Sequence, residues 1–161
     1  MSKVVPCMWF DGDAEQAAEF YVSLLPNSAI THVQRNVADN PSGKTGSVLV
    51  VEFTLAGQPL VALNGGMKME YTHAISLVIH CDDQAEVDSV WNGFLAHGGR
   101  AEQCGWLRDR WGVAWQVVPK VMFEILASPD KAAAARAVQA MMKMVKLDVK
   151  GLRRAFEGEP V

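Results

Sequence analysis

No apolar run in this 161-residue sequence approaches the roughly 20 residues needed to cross a bilayer. A membrane-embedded role is therefore not expected. The opening residues Met1-Ser2-Lys3-Val4-Val5-Pro6 lack the long apolar core of a secretory signal. Cysteine is scarce. Cys7, Cys81 and Cys104 are an odd number with no C-x-x-C pair. A disulfide framework is not expected, and reduced thiols in a cytoplasmic setting are. The formal net charge is only −3, which gives no general attraction to nucleic acid or anionic membrane. No complete catalytic constellation is evident anywhere in the chain.

Half the residues are apolar and a fifth are charged, the balance of a globular protein. The length fits one ordinary domain or two small modules sharing a core. The densest signal is Gly105-Trp106-Leu107-Arg108-Asp109-Arg110-Trp111-Gly112-Val113-Ala114-Trp115-Gln116-Val117-Val118-Pro119, which holds three of the five tryptophans. It reads as a β-hairpin, with Asp109 opening a tight turn and Gly112 closing it.

The element pattern is α+β. Val4 to Phe10 reads as a strand. Asp13 and Gln16 resemble a helix capping box, and Ala14, Ala17, Ala18, Tyr21, Leu24 and Leu25 make one helical face. Pro26 and Asn27 stop that helix. Strands follow over Ala29 to Val37, Ser47 to Leu55 and Pro59 to Leu63, with a polar turn or mobile loop at Asp39 to Lys44. The plan then repeats. Ala74 to Cys81 is a strand, Asp83 with Glu86 a second capping box, and Val87, Val90, Trp91, Phe94 and Leu95 a second apolar face ended by Gly98-Gly99. Strands are expected near Ala101 to Leu107 and Val113 to Val118. A shift of 70 places Asp13 on Asp83, Tyr21 on Trp91, Leu24 on Phe94 and Leu25 on Leu95. The first half reads βαβββ, and the second βαββ with room for a short extra strand. Two equivalent modules are implied, residues 1–70 and 71–119, each too small to bury its sheet alone.

From residue 120 to 161 the chain reads as a helical tail: Val121 to Leu126, Asp130 to Met144 and Asp148 to Phe156. Ala134, Val138, Met141 and Val145 form one stripe, read as packing surface for a core or a dimer, with an adaptable binding face as the alternative. Lys143, Lys146, Lys150, Arg153 and Arg154 read as a solvated face near helix ends. Contact with an anionic partner is the alternative.

Four stretches carry a family resemblance. They are Phe10-Asp11-Gly12 with Ala17 to Tyr21, Ala62-Leu63-Asn64-Gly65-Gly66, Ser76 to Asp83, and Cys104-Gly105-Trp106 through Trp115 to Pro119. The chain resembles the vicinal oxygen chelate superfamily of glyoxalase, dioxygenase and bleomycin-resistance proteins. Within it, the chain is similar to the PhnB-like group called 3-demethylubiquinone 3-methyltransferase-like. The resemblance extends over nearly the whole chain, including the tail. It implies two modules whose curled sheets form a cleft, commonly within a homodimer. It does not carry methyl transfer with it, because no G-x-G-x-G turn follows a strand, as the common nucleotide-binding scaffold requires. Exposed sheet faces and the Met-rich stripe also favour a homodimer.

The resemblance further implies a divalent metal held by His, Glu and Gln on sheet strands. The expected ligand set is incomplete. The first-strand position falls on Pro6, with Cys7 an isolated soft donor beside it. The corresponding count in the second half gives Ser76, with His73 at the strand entrance. Gln116 stands where relatives carry a Glu. His73 and Gln116 are thus the metal candidates, and two neutral donors bind a divalent ion weakly. His73 is otherwise a strand-end histidine bonded to backbone. No cofactor is expected from this donor count, with a divalent metal as the alternative.

On the last strand, Trp115 shares one face with Val113 and Val117, and Gln116 shares the other with Ala114 and Val118. Gln116 toward the cleft with Trp115 inward is the preferred register; the reverse stays open. Trp106, Trp111, Gln116 and Asn64 are the ligand-binding candidates. Both tryptophans either stack on a ligand or bury against the tail. Glu52 and Asp109 are the acid–base candidates. Asp109 alternatively caps its turn, and Glu52 is either solvated or in a cleft. Cys104 reads as an inert apolar thiol. Two functions compete: an isomerase, lyase or dioxygenase-like enzyme acting on a small metabolite bound in an aromatic cleft, and a non-catalytic small-molecule binding or sequestration protein. A third, an interaction protein using its helical tail, is least favoured.

Overall fold

The computed structural model describes residues 3–160. Met1, Ser2 and Val161, the ends of the expected first module and tail, lie outside the described residues. The chain divides between Glu70 and Tyr71 into two compact units.

The first unit contains β1 (Cys7–Phe10), α1 (Ala14–Leu24), β2 (Ala29–Arg35), β3 (Val48–Leu55) and β4 (Gln58–Asn64). They form a four-stranded sheet in the order β1-β4-β3-β2. β1 runs parallel to β4, while β4, β3 and β2 are antiparallel neighbours. Alternation decides the faces: Val51, Phe53 and Leu55 are buried together with Ala14, Ala17, Ala18 and Tyr21 of α1. Tyr21 stacks on Phe53 with ring centroids 6.1 Å apart. The intervening residues Val48, Val50 and Thr54 are half-buried, and Glu52 is exposed, on the face away from α1. The polar Asp39 to Lys44 segment is an ordered turn, with an Asn40–Gly43 bridge and a bond from the Asn40 amide to Asn36 at 2.8 Å.

The start of α1 differs from the expected capping box. Asp13 makes no side-chain cap. Its backbone, at φ −97° and ψ 11°, is not in the extended conformation that an N-cap normally uses to turn its carboxylate onto the helix amides. Asn64, at the end of β4, supplies the acceptor: Ala14 N donates to Asn64 Oδ1 at 3.0 Å. The Asn64 amide nitrogen donates in turn to the Val48 carbonyl at 3.0 Å. Asn64 is buried and bolts helix, β4 and β3 together. Its neighbour Gly65 lies so close to Trp9 that a Cβ there would fall 1.9 Å from the indole ring. The Trp9 indole N–H donates to the Met67 carbonyl at 2.7 Å.

The second unit contains β5 (Leu77–Cys81), α2 (Gln84–Ala96), β6 (Arg100–Ala101), β7 (Trp106–Arg108), β8 (Ala114–Pro119), α3 (Lys120–Ala127), α4 (Lys131–Met141) and α5 (Val149–Glu157). Its sheet order, β5-β8-β7-β6, repeats that of the first unit. The single strand expected over Ala101 to Leu107 is two strands. Cys104 and Gly105 both have positive φ, 59° and 81°, and turn the chain back, so that β6 and β7 pair antiparallel. The extra strand makes this half βαβββ as well. At α2 the expected cap is present: Asp83 accepts from Glu86 N at 2.9 Å. The Glu86 carboxylate reaches back to Asp82 N at 2.6 Å. Val87, Val90, Trp91 and Phe94 are buried on the α2 face, as are Ile79, Leu107, Trp115 and Val117 of the sheet.

The tail helices enclose a small core of Val121, Met122, Ile125, Ala134, Ala137, Leu147 and Leu152, with Val138, Met141 and Met144 against it. Most of the stripe read on α4 is therefore spent inside this unit; Val145 remains exposed. Gln84 ties the tail to the start of α2. Its amide donates to Leu147 O at 3.2 Å, and its carbonyl accepts from Val149 N at 2.7 Å. No described helix is long and apolar enough to cross a membrane.

Asn64→Ala should destabilise the protein by about 2 kcal/mol, the cost of one lost helix cap and one lost amide bond. Equilibrium urea denaturation reads this directly. Asp13→Ala should cost well under half as much.

Candidate functional site

The β7–β8 hairpin is fixed from inside by Asp109. Its carboxylate is buried at 3% exposure. Oδ1 accepts from Trp111 N at 2.9 Å and Val113 N at 3.0 Å, and Oδ2 accepts from the Trp115 indole N–H at 2.9 Å. The first two bonds make the turn; the third pulls Trp115 to the α2 side, where its ring meets Phe94 at 5.0 Å. With Trp115 inward, the strand pleat sends Gln116 to the opposite face. Asp109 is thus committed to three donors. Both carboxylate oxygens are engaged, Oδ1 in the turn-capping bonds and Oδ2 by the indole.

On the face that Gln116 occupies, register brings further residues together. Gln116 pairs with Trp106 across β7 and β8, so the two share a face. Arg108, two residues along β7, shares it too. Gln116 Nε2 donates to Ser76 Oγ at 2.9 Å. This joins the two positions reached by strand counting. Trp106 meets the His73 ring edge-on, with centroids 5.6 Å apart.

His73 belongs to a network whose other members were not singled out from sequence. His73 Nε2 lies 2.6 Å from Glu102 Oε2. Arg108 donates through Nε to Glu102 Oε1 at 3.2 Å. Its Nη2 contacts His73 Nδ1 at 2.9 Å, and its Nη1 donates to the carbonyls of Tyr71 at 3.0 Å and Gly112 at 3.2 Å. A guanidinium can only donate, so Nδ1 is the accepting nitrogen and the neutral ring carries its proton on Nε2, facing the carboxylate. Burial pushes the Glu102 pKa up, but the bonds and charges of His73 and Arg108 outweigh it and hold the carboxyl below the usual glutamate value. Glu102 was hidden because its segment reads as one strand, not a turn between two. Arg108 had a signal, its i, i+2 spacing from Trp106.

The remaining candidates lie elsewhere. Trp111 is directed to the end of α2, 5.9 Å from the His97 ring, with the Arg110 guanidinium 5.2 Å over its own ring. The two tryptophans thus pack against different partners. Asn64 and Glu52 belong to the first unit. Both polar groups of the Asn64 side chain are spent on the α1 cap and β3. Glu52 is exposed on β3, opposite His32 and Val61 in the strand register. Cys81 is buried, and burial, reinforced by Glu86, Asp82 and Asp83, pushes its thiol up to about 12. It stays protonated and unreactive.

The residues do not fit a resident divalent metal. Among the described residues, no group of three or more His, Cys, Asp or Glu side chains is placed to hold one. Both ring nitrogens of His73 are engaged, Gln116 is turned to Ser76, and a guanidinium stands beside the carboxylate.

The family model described as 3-demethylubiquinone-9 3-methyltransferase matches residues 2–118. The helical tail lies outside that match. No curated protein matches the chain. Among solved structures, a PhnB protein from Bacillus cereus is 32% identical, with a TM-score of 0.66, over 73% of this chain and 99% of its own. Protein PA1353 from Pseudomonas aeruginosa is 20% identical, with a TM-score of 0.56, over 74% and 98%. The fosfomycin resistance protein FosX from Listeria monocytogenes is 12% identical, with a TM-score of 0.50, over 74% and 93%. The last two bear on fold alone.

Two outcomes follow from the geometry. Asp109→Ala should cost about 3 kcal/mol, since it strands two amides and an indole N–H in a buried turn; chemical denaturation measures it. Glu102, with its folded pKa lowered, contributes stability above the ordinary value of 4.5, and the contribution fades as pH falls through the folded value. Glu102→Gln should therefore flatten the acid limb of the melting-temperature profile. At neutral pH it should cost about 1 kcal/mol or less, because these pairs are partly exposed.

Sheet order, repeat and matched residues agree, and the chain belongs to the PhnB-like 3-demethylubiquinone-9 3-methyltransferase family.

Proposed function

We propose that the protein binds a small, flat metabolite against the open sheet face of the second unit and does so without a metal. Trp106 would supply the stacking surface and Gln116 the polar anchor. The observation that carries this reading is the row Ser76, Gln116, Trp106 and His73, held on one side of the sheet by hydrogen bonds and ring contact. Such a surface combines an apolar plate with amide and hydroxyl groups that fix orientation. Binding is favoured over acid–base chemistry because the groups that would move protons are occupied. Glu102 is a weakened base, and His73 shares both nitrogens with neighbours. A catalytic base needs a pKa near the working pH and a lone pair facing substrate. Nothing in the chain supplies the glycine-rich turn for methyl transfer named in the family description.

Cytoplasmic residence belongs to the same proposal, resting on three unpaired thiols. Homodimer assembly rests on the open sheet faces, and light scattering at micromolar concentration tests it; a monomer mass rejects it.

Melting-temperature screens with small aromatic metabolites test the function. A ligand found this way should lose about tenfold in affinity with Trp106→Ala, as expected for one aromatic contact of roughly 1 kcal/mol plus its buried area. Gln116→Ala should lose a few-fold. If Trp106→Ala leaves every ligand response unchanged, this face is not the binding site. Metal-dependent turnover of any hit would favour the isomerase, lyase or dioxygenase reading instead.

A further inference from the structure

We propose that the Arg108 guanidinium takes the place of a divalent cation between His73 and Glu102, closing a latent metal site. A ring nitrogen and a carboxylate oxygen converge on this one group, at 2.9 Å and 3.2 Å. They are the same two donor types that would bind a transition metal. Arg108 is not a loose surface side chain. Its side chain is 19% exposed, and its other end is tied to the Tyr71 and Gly112 carbonyls. The positive charge is therefore permanent and fixed, since arginine does not deprotonate in proteins.

Chemistry then decides the occupant. The His73 lone pair that a metal would need points to Nη2, and the other ring nitrogen donates its hydrogen bond to Glu102. A divalent ion entering here would have to break both bonds and sit beside a fixed like charge. Removing the guanidinium reverses each term. It frees Nδ1, leaves a carboxylate 2.6 Å from the other ring nitrogen, and lets water complete the coordination. The inference goes beyond the ligand-binding reading and stands without it.

The test uses the full chain. Zn²⁺ and Ni²⁺ are titrated by calorimetry into wild type, His73→Ala, Arg108→Met and the Arg108→Met/His73→Ala double variant, with melting temperature as a second readout. Wild type should show no binding that His73→Ala removes. Arg108→Met should gain at least tenfold in affinity and a metal-dependent rise in melting temperature, and the double variant should lose both. One equivalent of metal on wild type, abolished by His73→Ala, overturns the proposal. So does a folded Arg108→Met that binds metal no better than wild type. If that variant does not fold, Arg108→Gln replaces it. Long-range proton–nitrogen spectra of wild type decide independently of any variant. With the ring neutral, the His73 proton is expected on Nε2; a proton on Nδ1 overturns the proposal.

Discussion

The carboxylate of Asp109 is the constraint on which the second unit depends. Three donors from three residues meet it within a seven-residue span, two from the turn backbone and one from Trp115. The backbone bonds set the turn, but the indole bond sets the register. A β-strand has only two faces, so fixing Trp115 against Phe94 leaves Gln116 no option but the other side. Pairing then carries the choice across to Trp106 and along to Arg108. One buried acid thereby sorts a hairpin of alternating bulk into a packed face and a chemical face. Its burial is tolerable because each bond goes to a group that would otherwise be orphaned.

The two halves share a sheet order yet solve the same problem differently. Each must satisfy the first amides of a helix laid across its sheet. In the second half, Asp83 is extended, at φ −148° and ψ −175°, and caps locally. In the first, Asp13 is not extended, and the acceptor for Ala14 N arrives from Asn64, fifty residues beyond Ala14. The capping-box pattern predicts the element correctly in both halves and the atoms in only one. Local sequence specifies that a helix starts; tertiary register decides who caps it. The same division explains the site. Trp106, His73, Ser76 and Gln116 were legible because strand alternation and counting from caps reach them. Glu102 was not, since recognising it required knowing that Cys104 and Gly105 reverse the chain. Their positive φ values are a backbone fact that a run of ordinary-looking residues conceals. Trp111 and Trp106 show the same limit, since residues flanking a turn are close in sequence but need not share a face: their rings meet His97 and His73 respectively.

The tail lies outside the family match, yet it is bonded into the architecture of the site. The carbonyls of Met144 and Val145 accept from Cys104 N at 2.9 Å and Gly105 N at 2.8 Å. Those two residues form the reversal between β6 and β7. Glu102 N donates to Trp106 O at 2.8 Å across the same reversal, so the loop that sets Glu102 also starts the strand bearing Trp106 and Arg108. A Cβ at Gly105 would lie 2.9 Å from Val117 O and 3.0 Å from Leu147. The loop is thus clamped between β8 and the tail with no room for a side chain. Gln84 fixes Leu147 and Val149 from the other direction. A strand as short as β7, three residues long, has few ladder bonds of its own to hold position. Bracing its entrance with a separately packed helical core makes the face bearing Trp106, Glu102 and Arg108 rigid, where the hairpin by itself would fix only the far end.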